Sequence, residues 1–382
     1  MKKAFYDRHF TLGVLGGGQL GRMLLPPANE LDIKLAILDP DPEAPCSKLA
    51  HHFVCGDFRD HDTVMQFGES CDVITVEIEH VSISALKALR EMGKKVFPQP
   101  EVLETVQDKG LQKQFYEKHG IPTAPYRLVS NVTELKAHID FLPFAQKLRK
   151  GGYDGRGVQL LHSEADLTKA FDAPCVLEEL VAFEQELAII VARNESGEVR
   201  TFPLVAMDFN PKANLVEYLY APAGVAPEVE QAAEAIARKV VEAYGLVGIM
   251  AIELFMLPDG SLLVNEVAPR PHNSGHHSIE ANATSQYAQH LRAILDLPLG
   301  STKSTRYAAM VNLLGAEGHS GPVHYEGIEE ALAISEVYVH LYGKSLTKPF
   351  RKMGHVTCTG NSAAEVREKA LKIKELITVK TS

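Results

Sequence analysis

The segment that most constrains the fold is a short apolar run followed by a glycine-rich turn, TLGVLGGGQLGRMLL, at residues 11–25. Its glycines, beginning at Gly16, have the G-x-G-x-x-G spacing that joins a strand to a helix and places backbone N–H groups where a phosphate can bind. The pattern therefore predicts a strand, a tight turn and a helix. Pro26 and Pro27 follow, and we expect them to end that helix after little more than one turn or to kink it.

The rest of the first hundred residues alternates in the same way. Apolar runs such as KLAILD and CDVITVEIE are separated by helical patterns such as ISALKALREMG, which predicts a parallel sheet covered on both faces. Farther along, residues 174–194 are predicted as one long strand, residues 227–245 as the clearest amphipathic helix, and residues 258–260 as a hairpin turn. We expect an α/β domain at residues 1–104. Three α+β units should follow it, at residues 105–176, 177–304 and 305–382.

Composition excludes several classes of protein. A formal net charge of −10 and a pI near 5.9 argue against nucleic acid or an anionic membrane as a partner. The five cysteines are scattered without a C-x-x-C pair, which indicates reduced thiols and a cytoplasmic location. No signal peptide and no run of about 20 apolar residues is visible.

Two acidic residues suggest a metal site. Glu253 and Glu266 lie on neighbouring predicted strands, in AIELF and LVNEVAPRPHNSGHH. Two carboxylates that share one place repel each other unless a cation or a proton lies between them, and Mg²⁺ prefers such oxygen ligands. Asn265 would point to the opposite face unless the strand bends there. The alternative is that each glutamate is a solvated strand residue.

A second glycine-rich stretch, QKLRKGGYDGRG at residues 146–157, is bracketed by four basic residues. Such a loop can bring backbone N–H groups and cations close to phosphates, although an ordinary turn with solubilising lysines is the alternative. It is not a Walker A loop. In LEELV and the following residues, strand-edge N–H and C=O groups could bind an adenine edge, and a carboxylate such as Glu178 or Glu186 could bind ribose hydroxyls. The alternative is that these acids belong to a solvent-facing strand.

Taken in order, Lys109, Lys147, GGYDGRG, LEELV, AIELF and VNEVAPRPHNSGH resemble the ATP-grasp ligases. More narrowly, they resemble the family of N5-carboxyaminoimidazole ribonucleotide synthases, and the resemblance extends to FRKMGH near residue 350. It implies an ATP-grasp fold with an N-terminal pre-ATP-grasp domain of Rossmann-like parallel sheet, a small lid lobe, a larger antiparallel lobe and a C-terminal β-rich extension. It also implies ATP, bicarbonate and 5-aminoimidazole ribonucleotide as substrates, Mg²⁺ or Mn²⁺ as the cation, and a homodimer.

The resemblance also implies roles for individual residues. The residues expected around ATP are Lys109, Lys147, Gly151, Gly152, Tyr153, Asp154, Gly155, Arg156, Gly157, Glu178, Glu179, Leu180, Val181, Glu186, Asn265 and Glu266. Those expected around the ribonucleotide and bicarbonate are Gly17, Gly18, Gln19, Leu20, Glu77, Tyr153, Arg156, His272, Asn273, Ser274, Arg351 and Lys352. A direct part in the reaction is expected of Arg270, Asp154, Arg156 and Lys352, and metal binding is expected of Glu253 and Glu266.

Different functions could use some of the same residues. An NAD-dependent oxidoreductase would use the first glycine loop with Asp39 as the ribose-binding acid, but LDPDPEAPC crowds that position with prolines and charge. A different ATP-grasp carboxylate–amine ligase and a non-catalytic nucleotide-binding module are two more candidates. A zinc site at His272, His276 and His277 is disfavoured because the nearby prolines and glycine forbid a regular helix. Phe209 stands where the family commonly has a histidine near ATP.

Overall fold

The computed structural model describes residues 4–152, 157–210 and 215–381. Its N-terminal part is a five-stranded parallel sheet in the order β3-β2-β1-β4-β5. The elements are β1 (Thr11–Leu15), α1 (Gln19–Glu30), β2 (Lys34–Asp39), β3 (His52–Cys55), α2 (His61–Glu69), β4 (Val73–Val76), α3 (Ile83–Glu91) and β5 (Lys95–Val96). The predicted parallel sheet is confirmed.

The expectation that Pro26 and Pro27 end the first helix is wrong. Helix α1 continues through both prolines to Glu30. Each proline removes one intrahelical N–H···O bond, but its fixed φ is close to the helical value. Residues on the opposite face, among them Leu24 and Ala28, are buried against the sheet, so packing outweighs the lost bonds.

A small lobe follows, built on the antiparallel sheet β6-β9-β7-β8. Its elements are α4 (Pro100–Val106), α5 (Lys109–Lys118), β6 (Tyr126–Val129), α6 (Val132–Lys136), β7 (Phe144–Leu148), β8 (Val158–Leu161) and β9 (Cys175–Glu179), with 3-10 turns at Ile139–Phe141 and Glu164–Lys169. Strand β9 crosses the domain boundary predicted at residue 176, because its last residues still pair with β6 and β7.

The large lobe is an antiparallel sheet in the order β15-β14-β10-β12-β13-β16-β20-β18, with β11 paired to β10. The elements up to residue 294 are β10 (Gln185–Arg193), β11 (Val199–Thr201), β12 (Val205–Asn210), β13 (Leu215–Ala221), α7 (Pro227–Tyr244), β14 (Gly248–Met256), β15 (Leu262–Ala268), a 3-10 turn (Asn273–Gly275), α8 (Ser278–Ala281) and α9 (Gln286–Ile294). The single long strand predicted for residues 174–194 is wrong. The chain leaves the small sheet after Glu179 and enters the large one at Gln185.

In the last quarter of the chain, three strands extend the large sheet and three others form a small sheet. The remaining elements are β16 (Tyr307–Leu314), β17 (Gly321–Glu326), α10 (Ile328–Leu332), β18 (Val337–Leu341), β19 (Leu346–Thr347), β20 (Lys352–Gly360), α11 (Ala363–Leu376) and β21 (Thr378–Thr381). Strand β16 pairs with β13 and β20, whereas β17, β19 and β21 form a small sheet of their own. The C-terminal residues are thereby brought to the sheet that carries Glu253.

Two local predictions are confirmed by backbone geometry. Helix α7 runs to Tyr244 and ends at Gly245, whose φ of 58° is in the left-handed region that glycine adopts without strain. The turn between β14 and β15 uses Gly260, with φ of 81°. No helix in the described parts of the chain has both the length and the apolar character required to cross a membrane.

Helix α9 fixes the N-terminal domain to the large lobe. It lies between α1 and β14, and its residues Tyr287 and Leu291 share one apolar core with Leu35 of β2. A buried hydrogen bond of 2.9 Å joins Thr75 on β4 to His290 on α9. These contacts fix the parallel sheet against the large lobe.

Candidate active site

The two predicted metal ligands face each other across neighbouring strands. Glu253 of β14 and Glu266 of β15 are paired in register, so their side chains leave the sheet on the same face. This is the convergence that the sequence predicted. The two glutamates are therefore neighbours on one face of the sheet, and their binding of a metal stays a prediction.

Asn265 joins the same face through a β-bulge. The register advances from Glu253–Glu266 to Leu254–Val264, so that Asn265 is the extra residue of β15. Its Oδ1 atom accepts a hydrogen bond of 3.1 Å from Nζ of Lys147. The bend that the sequence prediction required is present.

Two lysines from the small lobe lie at this acidic pair, one bonded to Glu266 and the other to the neighbouring Asn265. Nζ of Lys109, at the start of α5, donates to Oε2 of Glu266 at 2.7 Å. Nζ of Lys147, on β7, donates to Oε2 of Glu178 at 2.9 Å as well as to Asn265. The acids and the ammonium groups thus meet at the junction of the small and large lobes.

Helix α5 is held in place by an ion pair that the sequence analysis missed. Asp108 caps the helix by accepting from the backbone N–H of Gly110 at 2.9 Å. Both of its oxygens also accept from Arg149, at 2.8 and 2.9 Å. Arg149 is one of the four basic residues that bracket the second glycine-rich stretch, and in the structure it attaches β7 to α5. A bidentate pair of this kind restrains direction as well as distance.

The charges at the junction shift the acidities of three carboxyls. Burial, together with the carboxylates of Glu266 and Glu186, raises the pKa of Glu253. The Lys109 ammonium holds the pKa of Glu266 well below its usual range. Burial also raises the pKa of Glu186 to about 7. Of the two facing acids, Glu266 is therefore stabilised as a carboxylate and Glu253 as a neutral carboxyl group.

The donor set fits a magnesium ion. Glu253 and Glu266 supply hard oxygen ligands with the amide oxygen of Asn265 beside them. A divalent cation would offset the burial and the carboxylate repulsion that raise the pKa of Glu253. Within the described residues, no group of three or more His, Cys, Asp or Glu side chains has the arrangement of a metal site. Two carboxylates and one amide oxygen would provide only part of a coordination shell, as is usual for Mg²⁺ bound with nucleotide phosphates.

The residues expected around the nucleotide base lie where the chain crosses between lobes. Glu178, at the end of β9, is buried, whereas Glu179 is exposed and Leu180 and Val181 are half-buried in the segment that leads to β10. Of the second glycine loop, Gly151, Gly152 and Gly157 are described, the first and last with φ of 79° and 76°. Tyr153, Asp154, Gly155 and Arg156 lie outside the described residues. Phe209 is half-buried on β12 and packs on an apolar core.

The loop after β15 carries the residues expected to contact the other substrates. Nε of Arg270 lies 2.8 Å from Oε1 of Glu79. His272 lies with its Nε2 atom 3.7 Å from Oε1 of Glu253, and its backbone is held at both ends by the side-chain amide of Gln286, at 2.8 Å each. The Ser274 hydroxyl contacts the His272 ring at 3.0 Å.

Three further residues predicted to bind substrate differ in how far their side chains are already engaged by other parts of the protein. The side chain of Asn273 forms a reciprocal amide pair with buried Asn312 of β16, at 2.8 and 2.9 Å, so it fastens the loop to the sheet. Nη1 of Arg351 donates to the carbonyl of Leu346 at 2.7 Å. Lys352, at the start of β20, is close enough to Glu253 for its positive charge to offset part of the rise in the pKa of Glu253.

The first glycine loop is arranged around two carboxylates. Gly17 N–H donates to Asp39 at 2.7 Å, and the N–H groups of Gly18 and Gly21 donate to Glu77 at 2.6 and 2.5 Å. Burial raises the pKa of Glu77. A side chain at Gly18 would place its Cβ 2.5 Å from a Glu77 oxygen, which explains the glycine. Asp39, the candidate ribose-binding acid of an NAD site, thus has a role in the loop itself.

Gln19 and Leu20 open α1 directly after this loop. Backbone N–H groups at such a position lie at the positive end of the helix dipole. A phosphate approaching the loop would meet them beside Glu77.

Comparisons with known proteins identify the parts of the chain. The ribonucleotide synthetase preATP-grasp domain matches residues 9–107, the ATP-grasp domain matches residues 114–287, and the phosphoribosylaminoimidazole carboxylase C-terminal domain matches residues 308–369. The fold and the site together define an ATP-grasp ligase.

Relatives of known function narrow the class further. The N5-carboxyaminoimidazole ribonucleotide synthase of Synechococcus elongatus is 40% identical over 94% of this chain and 92% of its own length. The phosphoribosylaminoimidazole carboxylase of Saccharomyces cerevisiae is 38% identical over 94% of this chain, which spans 65% of that longer protein. The chain belongs to the N5-carboxyaminoimidazole ribonucleotide synthase family. The oxidoreductase alternative is therefore wrong.

Solved structures support the same family assignment. The N5-carboxyaminoimidazole ribonucleotide synthetase of Thermotoga maritima has a TM-score of 0.90 and 42% identity, covering 98% of this chain and 100% of that one. The Aspergillus clavatus synthase, solved in complex with ADP and 5-aminoimidazole ribonucleotide, has a TM-score of 0.88 and 35% identity, covering 96% of this chain and 98% of that one.

Proposed function

We propose that the chain carboxylates the exocyclic amine of 5-aminoimidazole ribonucleotide with ATP and bicarbonate, releasing ADP and phosphate, as a step of purine biosynthesis. The observation that carries the proposal is the in-register pair of Glu253 and Glu266, with the ammonium group of Lys109 bonded to Glu266 and that of Lys147 bonded to the adjacent Asn265. Family membership supplies the substrates. The Aspergillus clavatus relative in complex with ADP and the same ribonucleotide supports that choice.

In the first step, a bicarbonate oxygen attacks the γ-phosphorus of ATP, and the bond from that phosphorus to the bridging oxygen breaks. The products are carboxyphosphate and ADP. Lys109 and Lys147 would donate to the phosphate oxygens, and Arg270 would bind the carboxyphosphate. Mg²⁺ held by Glu253 and Glu266 would neutralise charge on the transferring phosphoryl group.

In the second step, the exocyclic amine takes the carboxyl carbon from carboxyphosphate, either directly or after release of CO₂, and phosphate leaves. The amine must lose a proton; Asp154 is the proposed base, with the released phosphate as the alternative. Closure of the loop at residues 151–157 over the site would keep water from hydrolysing carboxyphosphate. Tyr153, Arg156 and Lys352 are proposed to contact the ribonucleotide beside Glu77.

Assembly, location and cation are proposed on the same basis. The family supports Mg²⁺, with Mn²⁺ as a second candidate, and a homodimer. A cytoplasmic location is consistent with five cysteines that are all free thiols, four of them buried.

The test is an assay of ADP release with bicarbonate or formate, each with and without the aminoimidazole ribonucleotide. We expect full turnover only when bicarbonate and the ribonucleotide are both present. Equal turnover with formate, or with another amine, would identify a different ATP-grasp ligase. Glu266→Gln should abolish bicarbonate-dependent ADP formation while the ribonucleotide still binds.

A further inference from the structure

Helix α5 carries a second lysine one turn after Lys109. Lys113 lies four residues after Lys109, so both side chains leave the helix on the same face. Lys109 keeps a partly exposed side chain, whereas Lys113 is 1% exposed. A lysine this deeply buried requires a charged partner.

That partner is Glu178. Nζ of Lys113 lies 3.4 Å from Oε2 of Glu178, the same oxygen that accepts from Lys147 at 2.9 Å. The carboxylate is therefore shared between one lysine that faces the nucleotide site and one that is sealed from it. Although burial favours its neutral form, Lys147 and Lys113 hold the pKa of Glu178 below its usual range.

Lys113 also connects the two lobes. Its Nζ donates to the hydroxyl of Thr123 at 2.6 Å, and that hydroxyl donates to the carbonyl of Val264 at 2.7 Å. Val264 directly precedes the bulge residue Asn265 on β15. One buried ammonium group thus contacts the small-lobe sheet through Glu178 and the large-lobe strand through Thr123.

We infer that Lys113 is a positioning residue for nucleotide binding: it balances part of the charge of Glu178, so that Glu178 holds Lys147 less tightly and Lys147 can turn to a phosphate. Burial lowers the pKa of Lys113 to about 8, so most molecules carry the charge at neutral pH. Without Lys113, Glu178 would have Lys147 as its near counter-charge and would hold it more tightly. The inference rests on the proposed use of ATP and adds a residue to its binding site.

The experiment measures Mg·ADP affinity by calorimetry together with separate KM values for ATP and the ribonucleotide. Lys113→Met should weaken Mg·ADP binding and raise KM for ATP by about tenfold, because Lys147 would lose most of its charge-assisted contact with a phosphate. KM for the ribonucleotide should change less than about twofold, and Lys113→Arg should recover part of the ATP affinity. Lys118→Met, at the exposed end of the same helix, is the matched control and should change neither value.

A double-mutant cycle separates positioning from general packing. In a Glu178→Gln background there is no charge to balance, so adding Lys113→Met should change Mg·ADP affinity by less than about twofold. An undiminished tenfold loss in that background would overturn the inference. So would a parallel rise in KM for both substrates accompanied by a lower melting temperature.

Folding failure is also informative. If Lys113→Met alone does not fold, the double variant, which removes both charges, should fold and bind Mg·ADP as Glu178→Gln does. If the double variant fails too, Lys113 serves packing and the inference is wrong. Because Mg·ADP binding requires no carboxylation, absence of carboxylation by the unmodified chain would refute the proposed function without deciding this test.

Discussion

The Nζ atom of Lys109 lies 2.7 Å from Oε2 of Glu266, although the two residues are 157 positions apart in sequence. One is proposed to bind phosphate and the other to bind the cation. In the ligand-free site they neutralise each other. A magnesium nucleotide would replace this contact with two stronger ones, because the cation takes the carboxylate and the phosphate takes the ammonium group.

Removing Lys109 should therefore affect nucleotide binding more than folding. For Lys109→Met we expect KM for ATP to rise about 10- to 100-fold, the range for loss of a charge-assisted hydrogen bond. The pKa of Glu266 should move upward, because Lys109 is the largest cause of its depression. Kinetics give the first value, and carboxyl NMR titration gives the second. An unchanged KM for ATP would contradict the phosphate role.

The pH dependence of cation binding should follow Glu253. Its pKa is raised in the ligand-free protein, and a metal ligand must be deprotonated. Mg·ADP binding should therefore release protons and should weaken as the pH falls through the raised value. Calorimetry in buffers of different ionisation enthalpy measures the proton release. Binding without proton release at neutral pH would contradict a raised pKa.

The stability of the metal-free protein should have the opposite pH dependence. Between the ordinary carboxyl pKa of 4.5 and the raised folded value, the folded state binds more protons at Glu253 than the unfolded state does. Stability from this group is therefore greatest at low pH and declines as the pH rises through that window. Glu253→Gln should flatten the decline in urea unfolding, while it reduces turnover about 100-fold or more through loss of transition-state charge stabilisation.

Asp108 should contribute more to stability than an ordinary helix cap. It caps α5 and also forms the bidentate pair with Arg149, and it is 5% exposed. Asp108→Ala should lower the free energy of unfolding by about 2 kcal/mol, since α5 loses its cap and the half-buried Arg149 loses its counter-charge. Asp60, an exposed cap of α2, is the matched control, and its replacement by Ala should cost about 1 kcal/mol. Equal losses in urea unfolding would show that the Arg149 pair adds nothing.

The prolines of α1 offer a test in the stabilising direction. Pro26 is exposed inside the helix, so Pro26→Ala should restore one backbone hydrogen bond and raise the free energy of unfolding by about 1 kcal/mol. Pro227 occupies the first turn of α7, where no helical bond is missing, and its replacement by Ala should not stabilise. Thermal unfolding measures both. A lower melting temperature for Pro26→Ala would mean that the proline is needed at that position.

Much of the fold, and the meeting of the two acids in the site, could be predicted from the sequence because rules that act over a few residues govern them. Along β2, Leu35 and Ile37 point to one face of the sheet and Ala36 and Leu38 to the other. A strand covered on both sides requires such apolar residues at consecutive positions. Gly245 and Gly260 stand where the backbone requires a left-handed conformation. The convergence of the two acids on neighbouring strands likewise follows from the short turn between them.

What remained hidden depended on contacts between distant segments. The pairing of Arg270 with Glu79, the fastening of Asn273 to Asn312, and the burial of Lys113 against Thr123 have no local signature.

The sequence by itself determined which residue types could carry phosphate and metal chemistry and, apart from the length of α1 and the strand predicted for residues 174–194, which of the stretches discussed would be strand or helix, because periodicity and turn chemistry act over a few residues. Only the tertiary structure decided which acid would be paired with which lysine, that Asn265 would bulge into the site, and that the C-terminal strands would extend the large sheet. Those outcomes depend on burial and charge balance, which are set when the lobes pack together.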